Sequence, residues 1–248
     1  MKFKLLFILL FISLKFFATG QEPNFIKIDG KEYDLLNDPL EKYFQEHPEN
    51  HPIFGEKFIK KDEKGETYFT TSTANWRGYV AYFEIINNEL FLTDLKIDDS
   101  NSGLLISVYN KIFTDNKTVK LNYSGILTVP TGDFIDSDNF GFSSYYKSYL
   151  LLTVKNDHLE KKKELQNKDY MKFKIKQFEE FQKTKDYKIA YEDYIKSNTE
   201  SEKIELSFAK TKSKIAEIKK QYSKKPTKEQ IDGFLFMMSN LEQIYVDY

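Results

Sequence analysis

The 248-residue sequence contains no cysteine, one arginine, one tryptophan and three histidines. Without cysteine the chain can form no disulfide and offers no thiol for the lipid anchor of bacterial lipoproteins. The sequence is instead rich in Lys, Asn, Ile, Phe and Tyr, the residues of AT-rich codons, so its aromatic content is weak evidence for a sugar-binding surface. A chain of this length can bury a sizeable core without covalent cross-links.

Long apolar runs are also scarce, and the one clear run lies at the N terminus. Two lysines precede the apolar residues 5–12, which are too few to span a bilayer, and residues 18–20 have the small side chains of a cleavage site. We therefore expect residues 1–20 to be a signal peptide. The protein is predicted to be periplasmic or extracellular and not lipid-anchored, and no later segment has the length and hydropathy of a transmembrane helix.

Charge of one sign does not dominate the chain, whose formal net charge is −1. The first part is mildly acidic and the second part mildly basic. This asymmetry is small, and arginine is nearly absent, so the composition argues against a nucleic-acid partner.

Residues 21–165 predict an antiparallel β-domain, sandwich or barrel-like, with one short helix after Pro39. Three two-residue turns carry this prediction: Asp29-Gly30, Asn87-Asn88 and Asn156-Asp157. These residue pairs tolerate the positive φ angles of type I′ hairpin turns.

The best-defined hairpin has its turn at Asn87-Asn88. A two-residue turn predicts that Ile85 lies opposite Leu90 and that Phe83 lies opposite Leu92, all on one face. Uninterrupted alternation places Leu95 on the other face. Both faces are largely apolar, which predicts that further layers cover the sheet.

Residues 166–248 predict a C-terminal helical region of about four helices, because apolar residues recur there at helical spacing. Thr199 with Glu202, and Thr227 with Gln230, both have the spacing of a capping box, so each threonine is expected to begin a helix.

The segment Asn75-Trp76-Arg77-Gly78 holds both the only tryptophan and the only arginine. Where codon usage favours lysine, a remaining arginine suggests a need for a planar, bidentate cation. Trp76, Arg77 and the following Tyr79 are therefore candidate ligand-binding residues. The alternative is structural: an internal Arg–carboxylate pair that fixes a strand.

This segment also carries a family resemblance. Ser72-Thr73-Ala74-Asn75-Trp76-Arg77-Gly78-Tyr79 resembles an S-T-A-x-W-x-G-Y motif of an uncharacterised family of exported bacterial proteins, and the stretches 125–132 and 141–146 are similar to other parts of that family. The resemblance covers roughly residues 25–165. It implies export and brings no activity with it.

Metal ligation has only weak candidates. His47 and His51 are four residues apart, but prolines follow both, which favours a loop over a helix. Asp136 and Asp138 copy the beginning of a calcium loop, but the later chelating positions are occupied by Phe140 and Lys147. We expect no metal and no other cofactor.

The sequence favours a non-catalytic binding or interaction module of the cell envelope, because no catalytic constellation is recognisable. Its partner could be a protein, a peptide or a glycan. One alternative is a carboxylate-dependent hydrolase acting on a glycan, with Glu84, Asp94 and Asp136 as nominal carboxylates. Another is a toxin-neutralising or scaffold protein that uses the Lys-rich helices.

Overall fold

The computed structural model has an α+β fold, as the sequence predicts. It describes residues 21–56, 58, 60–61, 67–68, 74–99, 103–114, 118–137 and 144–248. The strands in these residues are β1 (Asn24–Ile28), β2 (Lys31–Leu35), β3 (Lys60–Lys61), β4 (Thr67–Tyr68), β5 (Val80–Ile86), β6 (Glu89–Asp98), β7 (Leu105–Ser107), β8 (Gly125–Pro130), β9 (Phe134–Ser137), β10 (Ser144–Tyr146), β11 (Ser148–Lys155) and β12 (His158–Gln166).

Helices flank and follow the strands. The α-helices in the described residues are α1 (Leu40–Glu46), α2 (Tyr109–Ile112), α3 (Asn167–Phe181), α4 (Lys185–Phe208), α5 (Lys212–Gln221) and α6 (Lys228–Met238), with a 3₁₀ turn at Pro48–Asn50. Four of the six α-helices follow the last strand, in the region where the sequence predicts about four. No helix in the described ranges has the length and hydropathy needed to cross a membrane.

The main sheet is mixed, so the prediction of a purely antiparallel sheet is wrong. Its strand order is β2-β1-β5-β6-β12-β11-β8, and β7 pairs with β6. β1 runs parallel to β5, with Ile26 opposite Phe83. Parallel neighbours need a long crossover connection, and the chain between β2 and β5, which includes α1, supplies it.

The two ends of the sheet approach each other without closing into a barrel. The Leu36 backbone N–H, just after β2, donates to the Thr128 carbonyl of β8 at 3.0 Å. The Asn37 side-chain oxygen accepts from the Thr128 backbone N–H. These contacts bring α1, which follows β2 in the chain, close to the edge strand β8.

All three predicted hairpin turns are confirmed. Both residues of each turn have positive φ: 52° and 81° at Asp29-Gly30, 52° and 62° at Asn87-Asn88, and 48° and 65° at Asn156-Asp157. These are the values that type I′ turns require. The Asp157 carboxylate also accepts from the backbone N–H groups of Asn122 and Tyr123, at 2.7 and 2.8 Å, which ties this turn to the segment before β8.

A β-bulge changes the predicted facing of the β5–β6 hairpin. Ile85 pairs with Leu90 and Phe83 pairs with Leu92, as predicted, but the register shifts between Tyr82 and Phe83. Beyond this shift Leu95 is fully buried in the same core as Leu90 and Leu92. An extra residue on one strand reverses the alternation, which the sequence pattern did not reveal.

β11 is covered on both faces. Leu150 and Leu152 belong to the main core, which also contains Phe44 of α1. Leu151 points the other way and packs against Phe173 of α3. The main core therefore lies between the sheet and the short helices, and α3 covers the opposite face.

The C-terminal helices form a second core that continues from α3. Phe178 and Phe181 of α3 pack with Tyr187 of α4 and with Ile231 and Leu235 of α6. Since α3 also contacts the sheet, it links the two layers. The proposed signal peptide, residues 1–20, lies outside the described residues.

One of the two predicted capping boxes is confirmed and the other is wrong. The Thr227 side chain accepts from the Gln230 N–H at 3.3 Å, and the Gln230 side chain accepts from the Thr227 N–H at 2.9 Å. Thr199 instead lies inside α4 and donates to the Ile195 carbonyl at 3.0 Å. Thr211 is the N-cap of the next helix.

These two threonines make a matched test of the helix boundaries. Thr227→Ala removes a helix cap and should lower the free energy of unfolding by about 1 kcal/mol. Thr199→Ala should leave it unchanged or slightly raised, because alanine is the better residue inside a helix. Urea denaturation of both variants measures the difference. An equal loss at Thr199 would place a helix start there.

Candidate functional site

The segment 75–78 folds into a turn that separates its two rare side chains. The Gly78 N–H donates to the Asn75 carbonyl at 3.0 Å and to the Asn75 side-chain oxygen at 3.1 Å. Gly78 has a φ of 76°, where a side chain would cause strain. Asn75 and Arg77 are buried, whereas Trp76 is 62% exposed.

Arg77 is held by several parts of the chain. Its Nη2 donates to the Glu22 carbonyl at 2.7 Å. Its Nε lies 4.0 Å from Oδ2 of Asp38, and its guanidinium lies 5.6 Å from the centre of the Tyr79 ring. The Tyr79 hydroxyl donates to the same Asp38 oxygen at 2.8 Å. Arg77 therefore makes the internal carboxylate pair that the sequence analysis offered as the structural alternative.

Asp38 is a buried carboxyl at the start of α1. Burial raises its pKa, and the Arg77 guanidinium and the Tyr79 hydroxyl offset only part of this effect. Its Oδ1 is buried and has no hydrogen-bond partner among the described residues. The carboxyl thus depends on Arg77 for most of its charge compensation.

His51 lies beside this cluster as a neutral ring. Its Nδ1 accepts from the N–H groups of Ile53 and Phe54, both at 3.2 Å. The ring packs against Phe44 and Tyr79, with centroid distances of 4.9 and 5.7 Å. Burial lowers the pKa of His51 to about 4.

Hydrogen bonds hold the segment after α6 against the edge strand β8 and against α3. The Ile126 N–H of β8 donates to the Glu242 carbonyl at 2.7 Å. From α3, Nε2 of Gln177 donates to the carbonyls of Leu241 and Ile244, both at 3.0 Å. These bonds place the Glu242 side chain against α3 and close to α1.

Glu242 and Lys174 are two ionisable groups of this region with strongly shifted pKa values. Burial and the nearby Asp38 raise the pKa of Glu242 to about 8, although Asn240 and Asn37 offset part of the shift. Burial lowers the pKa of Lys174 to about 8, against the opposing effect of Glu242. Near pH 8 each of the two groups is therefore about half ionised.

The titratable side chains described above line one cavity of about 440 Å³. Its polar wall includes Asp38, His51, Arg77, Lys174 and Glu242, and its apolar wall includes Trp76, Met171, Phe236, Met237 and Met238. The sequence has four methionines, and every one except Met1 lines this cavity. α1, the turn before β5, α3 and the segment after α6 converge to form it.

The three ligand-binding candidates lie together at this cavity. Trp76 is at its rim, while Arg77 and the buried Tyr79 form part of its wall. Their role in ligand binding stays a prediction, since Arg77 and Tyr79 also have the internal contacts described above. Ser72 and Thr73 of the motif lie outside the described residues.

The metal candidates do not converge. His47 is half-exposed, with its Nδ1 3.7 Å from Glu49, whereas His51 faces the cavity. Asp136 is exposed, and Asp138 lies outside the described residues. Within the described ranges no group of three His, Asp or Glu side chains could hold a metal ion.

The nominal hydrolase carboxylates have structural contacts elsewhere. Glu84 forms an ion pair with Lys27 at 3.1 Å. Asp94 accepts from the Ser107 hydroxyl at 2.6 Å and from the Leu95 N–H at 2.8 Å. Neither of them, nor Asp136, lines the cavity.

Sequence reasoning missed Asp38, Lys174 and Glu242. Asp38 precedes the short helix that begins after Pro39 and belongs to no motif, and Lys174 is one of many lysines on amphipathic helices. Glu242 follows the last helix and has no motif around it. The one sequence feature that could have pointed to this cavity is the small number of methionines, because three of the four line it.

The Arg77–Asp38 pair can be tested by a double-mutant cycle. Arg77→Met leaves a buried carboxyl without its cation and should lower the free energy of unfolding by about 3 kcal/mol. Asp38→Asn should also destabilise the protein. The double variant should lose clearly less than the sum of the two, because neither variant residue then leaves a charge unpaired. Chemical denaturation supplies all three values.

Lys27→Met is the matched control for this cycle. The Lys27–Glu84 pair is partly exposed, so its loss should cost less than about 1 kcal/mol. Strictly additive effects of Arg77→Met and Asp38→Asn would contradict the internal pair.

Glu242 should make the stability depend on pH. Its folded-state pKa of about 8 is above its ordinary value of 4.5, so the folded state binds more protons between these values. The contribution of Glu242 to stability is present below pH 4.5 and is lost as the pH rises to about 8, by at most about 1.4 kcal/mol per pH unit. Glu242→Gln should abolish this loss.

Lys174 should have the opposite slope at higher pH. Its folded-state pKa of about 8 is below its ordinary value of 10.5, so its contribution is lost as the pH falls from 10.5 to 8. Denaturation curves from pH 5 to 10 for the wild type, Glu242→Gln, Lys174→Met and the exposed control Glu179→Gln separate the two groups. Identical pH profiles for all four proteins would contradict both assignments.

Comparison with known proteins does not assign the chain to a family. No protein-family model matches the sequence, and neither a curated protein nor a solved structure matches it significantly.

Proposed function

We propose that the protein is a non-catalytic binding protein that holds a small amphipathic molecule in the cavity between α1, α3 and the segment after α6. One observation carries this proposal: an apolar wall of aromatic and methionine side chains faces buried charged groups across a volume of about 440 Å³. Ligand pockets in proteins combine these features at volumes of about 300–1,000 Å³.

The apolar wall supports binding of a variable apolar group. Met237 and Met238 are 41% and 44% exposed, and Trp76 is 62% exposed. Methionine side chains adapt to ligands of different shape, and exposed apolar side chains become favourable once a ligand covers them. The polar wall would then fix the orientation of the ligand.

Export is part of this proposal. The basic and apolar pattern of residues 1–20 is typical of a secretory signal peptide. The binding protein would then act in the periplasm or outside the cell, where small molecules are captured before uptake or sensing.

Trp76 provides a direct test, because the only tryptophan in the chain lies at the rim of the cavity. A library of sugars, amino acids, organic acids and amines is added to the purified protein. A true ligand should change the tryptophan fluorescence and raise the melting temperature together. At a concentration of 100 times Kd it should stabilise the fold by about 2.7 kcal/mol.

Two lysine substitutions separate cavity binding from non-specific effects. Met237→Lys places a charge in the apolar wall and should weaken ligand binding. Ile189→Lys changes another exposed apolar residue, which does not line the cavity, so binding should be retained. If no compound changes either signal, or if both variants lose binding equally, this proposal is wrong.

A carboxylate-dependent glycan hydrolase is the second candidate function. One observation favours it: Asp38 and Glu242 line the same cavity, and both have a raised pKa, as a general acid requires. Asp38, however, is engaged by Tyr79 and Arg77. Turnover of any member of a glycan panel that Glu242→Gln abolishes would favour this function over binding alone.

A further inference from the structure

Lys174 and Glu242 bring a basic and an acidic group to the cavity from two different elements. Lys174 is on α3, and Glu242 is on the segment after α6. Glu242 acts electrostatically on Lys174 and raises its pKa, against the larger effect of burial. Nevertheless, neither side chain makes an ion pair with any described residue, and Oε2 of Glu242 has no hydrogen-bond partner among them.

The other charged pair in the wall is already compensated. Asp38 interacts with Arg77 and Tyr79, and Arg77 also donates to the Glu22 carbonyl. Asp38 is therefore engaged by Arg77 and Tyr79, although it also raises the pKa of Glu242. Lys174 and Glu242 are the groups that a bound molecule would complement. A carboxylate would pair with the Lys174 ammonium, and an ammonium would favour the ionised form of Glu242, which burial otherwise disfavours.

The chemistry of these two groups selects among ligand types. A neutral sugar would leave both charges without a counter-ion. An organic anion would complement only Lys174, and an amine would complement only Glu242. A molecule with both an ammonium and a carboxylate group complements both, and each charge-assisted hydrogen bond is stronger than a neutral one.

The apolar wall specifies the rest of the molecule. Met171 is on α3 with Lys174, while Phe236 and Met237 are on α6, close in sequence to Glu242. All three line the same cavity as the two charges. A ligand held by its charged groups would therefore place an apolar side chain against thioether and aromatic groups.

We propose that the ligand is a free amino acid with an apolar side chain, whose carboxylate binds Lys174 and whose ammonium binds Glu242. This inference rests on the proposed binding function and specifies its ligand class. The cavity of about 440 Å³ is large enough for any of the apolar amino acids.

Calorimetric titration of the full chain with phenylalanine and two of its derivatives tests this assignment. Phenethylamine lacks the carboxylate, and N-acetylphenylalanine lacks the ammonium. Phenylalanine, leucine and methionine should bind, and each derivative should bind at least about tenfold more weakly than phenylalanine, because it leaves one of the two buried groups without its counter-ion. Glucose should not bind.

Substitutions then assign each charge to its partner. In Lys174→Met the preference for phenylalanine over phenethylamine should disappear, while the preference over N-acetylphenylalanine remains. In Glu242→Gln the preference for phenylalanine over N-acetylphenylalanine should disappear, while the preference over phenethylamine remains. Lys176→Met and Glu179→Gln alter exposed residues of α3 that do not line this cavity, and both should keep the wild-type preferences.

The outcomes separate this inference from the proposed function. If the protein binds glucose or another compound of the library but shows no preference for phenylalanine over its derivatives, the ligand assignment is wrong and the binding function stands. If phenylalanine binds but both cavity variants weaken all three compounds equally, the assignment of the charges is wrong. If no library compound changes the Trp76 fluorescence or the melting temperature, the binding function itself fails.

Discussion

The buried guanidinium of Arg77 joins segments that are far apart in the sequence. It contacts the Glu22 carbonyl before β1 and the Asp38 carboxyl before α1, and it lies over the ring of Tyr79 before β5. A lysine could not satisfy these partners at once, because it lacks the planar group with several donors. The position of α1 relative to β5, and with it one wall of the cavity, depends on this side chain.

Local features of the fold could be predicted from the sequence, whereas its long-range pairings could not. The turns at Asp29-Gly30 and Asn156-Asp157 follow from the residues that tolerate positive φ. The capping box at Thr227 was predicted correctly, but Thr199 has the same spacing and lies inside a helix. A capping pattern shows only that a helix could begin at that residue. At Thr199 the chain instead continues as α4. The parallel pairing of β1 with β5 depends on a long connection that no local pattern encodes.

The residues of the candidate site could likewise be predicted only in part from the sequence. Composition alone drew attention to Trp76 and Arg77, because each is unique in the chain. Lys174 and Glu242 could not be found in this way, since one resembles many helical lysines and the other follows the last helix without a motif. Their importance arises from burial, which the sequence does not display. The β-bulge near Tyr82 is a comparable case, because one extra residue reverses the facing of Leu95 without leaving a pattern.

Gln177 connects the two elements that carry Lys174 and Glu242. It is three residues after Lys174 on α3, so the two side chains lie on the same face, about 5–6 Å apart at their Cβ atoms. Gln177 in turn holds the carbonyls on either side of the segment that carries Glu242. One residue of α3 therefore anchors the backbone on both sides of Glu242, one turn along the helix from Lys174. A substitution at Gln177 would therefore release the segment that carries Glu242 from the helix that carries Lys174.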